Sequence, residues 1–250
     1  MKRIAVSTVF LLLVIAPVRA QKSAQRFFFK EGDRVVFLGD SITEQYQYST
    51  YIELYLTTRF PTWNMQFLNA GISGDTATGG AKRFAAHVLA ENPTAVTINF
   101  GMNDGGYGNF DVGAAANFIK QTSIMVDMAR KSRIRVALIS PNAVEVRNKP
   151  TLATYLETQR KFYAGLRDLA EKYDIPFVDQ YTTTRQVLER MAADKSKVKP
   201  FPDGVHTSEA GGLLMACTIL RGLNAPAEVS DLVIDTATKQ TTASNCKAEN

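Results

Sequence analysis

Five short apolar runs punctuate the chain, separated by longer stretches in which apolar residues recur every three or four positions. The runs are Arg34–Leu38, Met65–Leu68, Ala95–Phe100, Ile134–Ser140 and Ile175–Val178. Each is bounded by turn or helix signals, which predicts buried strands. Between them the spacing predicts helices. Thr50-Tyr51-Ile52-Glu53 has the form of a capping box and opens a helix to Arg59, ahead of Pro61. Thr78–Ala90 is a second, and Asp111 is placed to cap a third with Val112, Ala116, Ile119 and Val126 on one face. The clearest helix carries Leu152, Tyr155, Leu156, Phe162, Tyr163, Leu166, Leu169 and Tyr173 at helical spacing. A fifth runs Thr184–Ala193, and a last follows His206.

Strands alternating with helices imply a mainly parallel sheet covered on both faces. The expectation is an α/β protein: a three-layer α/β/α sandwich with a five-stranded, mainly parallel sheet of the flavodoxin-like kind. Beyond Leu223 the pattern changes, and Val229–Ile234 with Thr236–Ser244 reads as a hairpin or a frayed tail. The chain thus divides into residues 1–20, a main domain over 21–223, and a tail over 224–250.

Residues 1–20 stand apart. Lys2 and Arg3 precede the apolar stretch Ile4–Ala16, which Pro17-Val18-Arg19-Ala20 closes. This is the pattern of a secretory signal cleaved near Ala20, and the apolar run is short for a membrane span. The expected location is secreted or periplasmic, with no integral membrane segment after cleavage. Cleavage lowers the formal net charge from +5 to +2, because residues 1–20 hold three basic and no acidic residues. With no basic cluster interleaved with aromatics, nucleic acid is not an expected partner. Lys195, Lys197 and Lys199 read as a solvated loop or strand face. Cys217 and Cys246 leave two readings open, a bridge in an exported protein or a buried apolar position for Cys217. Two cysteines and two histidines show no zinc-ligand spacing.

Four polar blocks carry the candidate chemistry. Gly39-Asp40-Ser41-Ile42-Thr43 follows the first strand directly and exposes a serine at its carboxyl end, where open α/β sheets bind ligands. A serine hydroxyl is a poor nucleophile without a base. Asp203-Gly204-Val205-His206 supplies one, since a carboxylate three residues before an imidazole can fold back and fix its tautomer. The other histidine, His87, has no acidic neighbour and reads as a surface or structural residue. Asn69-Ala70-Gly71 follows the second strand, and a free Gly71 N–H there can donate to a developing oxyanion. Gly101-Met102-Asn103-Asp104 follows the third, and the Asn103 carboxamide can supply a further donor. Asp40 and Asp104 read as loop-organising hydrogen-bond acceptors. In a parallel sheet these strand ends converge.

In these four blocks the chain resembles the SGNH (GDSL-type) esterase/lipase superfamily, from about Arg34 to Gly222. The resemblance implies the same sandwich and assigns roles. Ser41 is the nucleophile, its N–H joins Gly71 and Asn103 in an oxyanion hole, and His206, oriented by Asp203, is the base. It implies ester hydrolysis through an acyl-enzyme, with neither metal nor organic cofactor. The expected substrate is a small-molecule or polysaccharide ester. Short loops carrying Tyr46, Tyr48, Tyr107 and Phe110, aromatics able to stack on sugar rings, favour a carbohydrate O-acetylesterase. Tyr51 and Tyr55 read as helix packing instead. A lysophospholipase or broad-acyl esterase/thioesterase is the alternative, and a non-catalytic carbohydrate-binding module stands behind both.

Overall fold

The computed structural model describes residues 26–228, 230–244 and 246. The signal segment 1–20 lies outside the described residues. Strands β1 (Arg34–Gly39), β2 (Gln66–Gly71), β3 (Ala95–Asn99), β4 (Arg135–Ile139) and β5 (Phe177–Val178) form one sheet in the order β2-β1-β3-β4-β5, every pairing parallel. The helices are α1 (Ser41–Glu44), α2 (Gln47–Arg59), α3 (Ala77–His87), α4 (Val112–Lys131), α5 (Ala153–Tyr173), α6 (Gln180–Ala193) and α7 (Glu209–Gly222). Helices α3, α4 and α5 pack side by side and α2 pairs with α7, and the right-handed rule for parallel crossovers puts the two groups on opposite faces of the sheet. The α/β sandwich expected from the pattern is the fold observed. Strand order reverses between β1 and β3, which opens a crevice at their carboxyl ends.

The central strands are buried on both faces, which is why β1, β3 and β4 read as near-continuous apolar runs. Phe37, Phe84, Phe100, Phe118 and Phe162 fill the layers between sheet and helices. The packing of α2 on α7 is close: a β-carbon at Gly212 would lie 2.7 Å from Gln47 Cβ.

Several local expectations are corrected. Helix α2 starts at Gln47, not Thr50. Tyr46 takes a left-handed conformation (φ 63°) that turns the chain out of α1, and the Thr50 N–H already donates to the Tyr46 carbonyl at 2.9 Å. The capping box is therefore inside the helix and unused. Strand β2 continues through Asn69 and Ala70 because pairing with β1 persists until Gly71 faces Gly39. Asp111 does cap α4, accepting the Ala114 N–H at 2.7 Å. The buried face of α4, however, runs through Phe118, Thr122, Met125, Val126 and Ala129, leaving Val112 76% exposed and Ala116 exposed. Phe118 stacking on Phe162 sets that phase, and buried Thr122 satisfies its hydroxyl on the Phe118 carbonyl. Helix α6 begins at Gln180 under an Asp179 cap, so Thr184 lies inside it.

Cys217 and Cys246 are free and exposed, so Cys217 is neither bridged nor buried. It lies on the outer side of α7, while Met215, Ala216 and Ile219 face inward. Lys195, Lys197 and Lys199 are exposed in a loop. Strands β6 (Asp231–Asp235) and β7 (Gln240–Ser244) form an exposed antiparallel hairpin apart from the main sheet.

Candidate active site

Ser41 opens α1 directly behind β1. Asp40, in extended conformation, caps that turn by accepting the Ile42 N–H at 3.0 Å. Burial pushes the Asp40 carboxyl up to about 7 against the lowering effect of that hydrogen bond, and neighbouring Asp104 adds to the rise. Thr43 folds back over Gly39, its hydroxyl 2.8 Å from that of buried Tyr48. Burial takes Tyr48 out of the aromatics available to a sugar, because its hydroxyl is needed to seat this turn.

Gly71 ends β2 under the same turn. A β-carbon there would lie 2.2 Å from the Glu44 nitrogen, so only glycine lets strand and turn approach. Its N–H is not free: it donates to Asn69 Oδ1 at 2.9 Å, while Asn69 Nδ2 donates to the Thr43 carbonyl at 2.6 Å. The Ser41 N–H, by contrast, meets no acceptor among the described residues. Beyond β3, Asn103 Nδ2 donates to the Asp75 carbonyl at 2.8 Å and Oδ1 accepts from the Tyr107 hydroxyl at 2.9 Å. One of its two amide hydrogens stays unengaged. Asp104 accepts the Ala77 N–H at the start of α3 at 3.0 Å, and burial raises its carboxyl to about 6. Asp40 and Asp104 thus organise loops, as expected of them.

Asp203 and His206 sit between α6 and α7. Asp203 Oδ1 accepts the Val205 and His206 N–H groups at 2.9 and 2.8 Å. Its Oδ2 lies 2.7 Å from His206 Nδ1, and His206 Nε2 lies 2.8 Å from Ser41 Oγ. Partial burial works to raise the Asp203 carboxyl, but the hydrogen bonds from His206 and Val205 outweigh it and hold the group below the usual carboxylate range. Ser41, Asp203 and His206 line an open depression of about 340 Å³ together with Glu44, Gln45 and Ser73. His87 is exposed at the far end of α3, roughly 15 Å along the helix from the site.

The geometry adds residues that sequence reasoning missed. Arg83 reaches from α3 to Asp75 at 2.7 Å and to the carbonyls of Ala70 and Gly39 at 2.8 and 2.9 Å, tying the ends of β2 and β1 together. A cation one position before the core residue Phe84 was its only sequence signal. Gln45 Oε1 accepts both the N–H and the hydroxyl of Thr207, at 3.1 and 3.0 Å, joining the serine turn to the histidine loop. Buried Glu145 accepts the Phe201 N–H at 3.1 Å and pairs with Arg147. Asn142 and Asn148 donate to the Val205 and Phe201 carbonyls at 3.2 and 3.0 Å. The contacts that Gln45, Asn142, Glu145 and Asn148 make to the histidine loop span 53 to 162 residues of chain and leave no local pattern.

A serine, an imidazole and a carboxylate in one hydrogen-bonded line, at the strand ends of a parallel α/β sheet, mark the class of serine carboxylic ester hydrolases. Residues 37–212 match the model of the GDSL-like lipase/acylhydrolase family, and the chain belongs to that family. It is 24% identical over 221 residues to an acetylxylan esterase of Geobacillus stearothermophilus, covering 76% of this chain and 93% of the relative. Among solved structures, a gut microbial diltiazem-metabolizing enzyme aligns with a TM-score of 0.75 and 27% identity over 90% of this chain. The match spans 55% of that enzyme's length. A catalytic mutant of an acetylxylan esterase from Geobacillus stearothermophilus aligns with a TM-score of 0.64 and 21% identity, covering 78% of this chain and 96% of the other. Among the described residues no helix is long and apolar enough to cross a membrane.

Proposed function

We propose that the protein removes acetyl groups from carbohydrate esters through an acyl-enzyme on Ser41. The carrying observation is the Asp203–His206–Ser41 line opening onto a small, polar depression. Ser41 Oγ attacks the acyl carbon while His206 Nε2 takes its proton, and Asp203 steadies the imidazolium on Nδ1. The carbonyl electron pair moves onto oxygen. We assign the unengaged Ser41 N–H and the second Asn103 amide hydrogen as donors to it, with the Gly71 N–H shared between Asn69 and the oxyanion. A donor of this kind contributes about 3 kcal/mol to the transition state. His206 then passes its proton to the leaving sugar oxygen. Water, activated by the same imidazole, releases acetate and restores Ser41.

Glu44, Gln45 and Ser73 on the rim suit hydroxyl groups better than a long acyl chain. Tyr46, next to Gln45 on the rim, presents an exposed ring, whereas Phe110 lines a separate cavity along α5. The acetylxylan esterase relative supports the substrate class. Structures of that relative also include catalytic mutants at an aspartate and a histidine three positions apart, the spacing of Asp203 and His206. We assign residues 21–223 to the hydrolase domain and 224–250 to a tail. Residues 1–20 act as a signal for delivery outside the cytoplasm, where acetylated polysaccharides are met.

Hydrolysis of acetylated xylan, acetylated pectin and a series of nitrophenyl esters tests the reading. Acetate is preferred over octanoate, and Ser41→Ala lowers kcat by at least about a thousandfold. Activity surviving in Ser41→Ala overturns the mechanism. A preference for octanoate or lysophospholipid overturns the substrate and leaves the mechanism standing.

A further inference from the structure

Tyr107 is built into the site at a conformational cost. Its backbone is left-handed (φ 56°), directly after left-handed Gly106 (φ 65°). A bulky side chain rarely adopts that region unless its surroundings hold it there, and such residues cluster at functional sites. Here the surroundings are Tyr155, whose ring centroid lies 5.1 Å from that of Tyr107. The Tyr155 hydroxyl donates to the Met102 carbonyl at 2.7 Å, which anchors the start of the same loop. Gly105 lets the loop lie flat on that ring, since a β-carbon there would sit 2.3 Å from the Tyr155 hydroxyl. The loop therefore wraps one aromatic side chain and presents another.

What the second one presents is a hydroxyl, 2.9 Å from Asn103 Oδ1. A carboxamide can flip end for end, and only one orientation gives the substrate a donor. The Asp75 carbonyl fixes Nδ2 from one side, and the Tyr107 hydroxyl fixes Oδ1 from the other. Burial, then the charges of Asp40 and Asp203, push the Tyr107 hydroxyl up to about 12, so it remains a donor across the working range. We propose that Tyr107 is a positioning residue: it holds the Asn103 carboxamide with its free N–H toward the oxyanion, and does not serve chiefly as a platform for sugar rings. This rests on the reading of Asn103 as an oxyanion donor.

Tyr107→Phe separates the two roles, because it keeps the ring and removes only the hydroxyl. With nitrophenyl acetate, a substrate without a sugar, kcat falls about tenfold while KM stays within about twofold. Asn103→Ala lowers kcat by about a hundredfold or more. Adding Tyr107→Phe to Asn103→Ala costs nothing further, since the hydroxyl then has nothing to orient. A melting temperature for Tyr107→Phe within a few degrees of the parent excludes loss of the fold as the cause. An unchanged kcat in Tyr107→Phe overturns the inference, as does the same tenfold loss in the Asn103→Ala background. So does an effect confined to KM for acetylated xylan, which would make Tyr107 a sugar contact. A harmless Asn103→Ala would overturn the underlying reading of the oxyanion site instead.

Discussion

Ser41, Gly71 and Asn103 lie at or just beyond the ends of β1, β2 and β3, three neighbouring strands whose register sets their spacing. Asp203 and His206 lie on a loop that joins no strand, held by the side chains of Gln45, Asn142, Glu145 and Asn148. The serine half is positioned chiefly by backbone pairing, which is shared over many residues, with Arg83 and Tyr107 adding side-chain ties to the strand ends. The histidine half is positioned by a few hydrogen bonds, any of which one substitution removes. The two halves should therefore fail differently: the first most abruptly where backbones touch, the second by degrees.

The strongest test strikes the backbone contact. Gly71→Ala drives a β-carbon into the Glu44 main chain, which has no rotamer to yield. A loss of about 3 kcal/mol in stability, with kcat/KM reduced by about a hundredfold or more, is expected from thermal melts and nitrophenyl acetate assays. On the histidine half, Glu145→Ala leaves Arg147 and the Phe201 N–H without their partner in a buried setting. A stability loss of about 2 kcal/mol accompanies a roughly tenfold fall in kcat, read by the same two measurements.

The halves also answer pH in opposite senses. Burial raises Asp40 to about 7, far above its unfolded value, so the folded chain holds a proton that the unfolded chain has released. Stability from this group is present below pH 4 and is lost as pH rises through 7. Asp203 is lowered, so its contribution is present above pH 4 and is lost only as pH falls below that. Asp104, raised to about 6, titrates in the same sense, so urea titrations from pH 5 to pH 8 should show about 4 kcal/mol of declining stability, and Asp40→Asn should remove the larger part of it. The gentlest perturbation is Gln45→Ala, which cuts the link between the halves. It lowers kcat about fivefold with KM unchanged, and Gln45→Glu, which keeps an acceptor for Thr207, recovers most of the loss.

This difference also governs what could be read from the sequence. The strand-borne residues were legible because each follows a short apolar run, and a parallel sheet leaves little choice about where such ends meet. Asp203 and His206 were legible as a local pair, three residues apart. What holds that pair to Ser41 was not. Gln45, Glu145 and Asn142 act across long separations, and a polar residue in a loop looks the same whether it spans a gap or faces water. Local rules misled where another short-range contact competed with them. The Thr50 capping box gave way to the turn at Tyr46, and the Gly71 N–H was taken by Asn69, two residues away. Tyr48 looked like a loop aromatic, but its hydroxyl is spent on Thr43.

The packing of α2 against α7, with Gly212 set against Gln47, has a consequence in time as well as in space. The helices it joins lie near opposite ends of the chain, and Ser41 and His206 are 165 residues apart. Closing so long a loop costs entropy, which the packing of α2 on α7 helps to offset. A chain folded through the loop after β3 holds Ser41, Gly71 and Asn103 but lacks the imidazole that faces the Ser41 hydroxyl. Because the loop that brings His206 to Ser41 runs directly into α7, turnover should require α7 to be docked on α2, and activity then serves as a reporter of that docking.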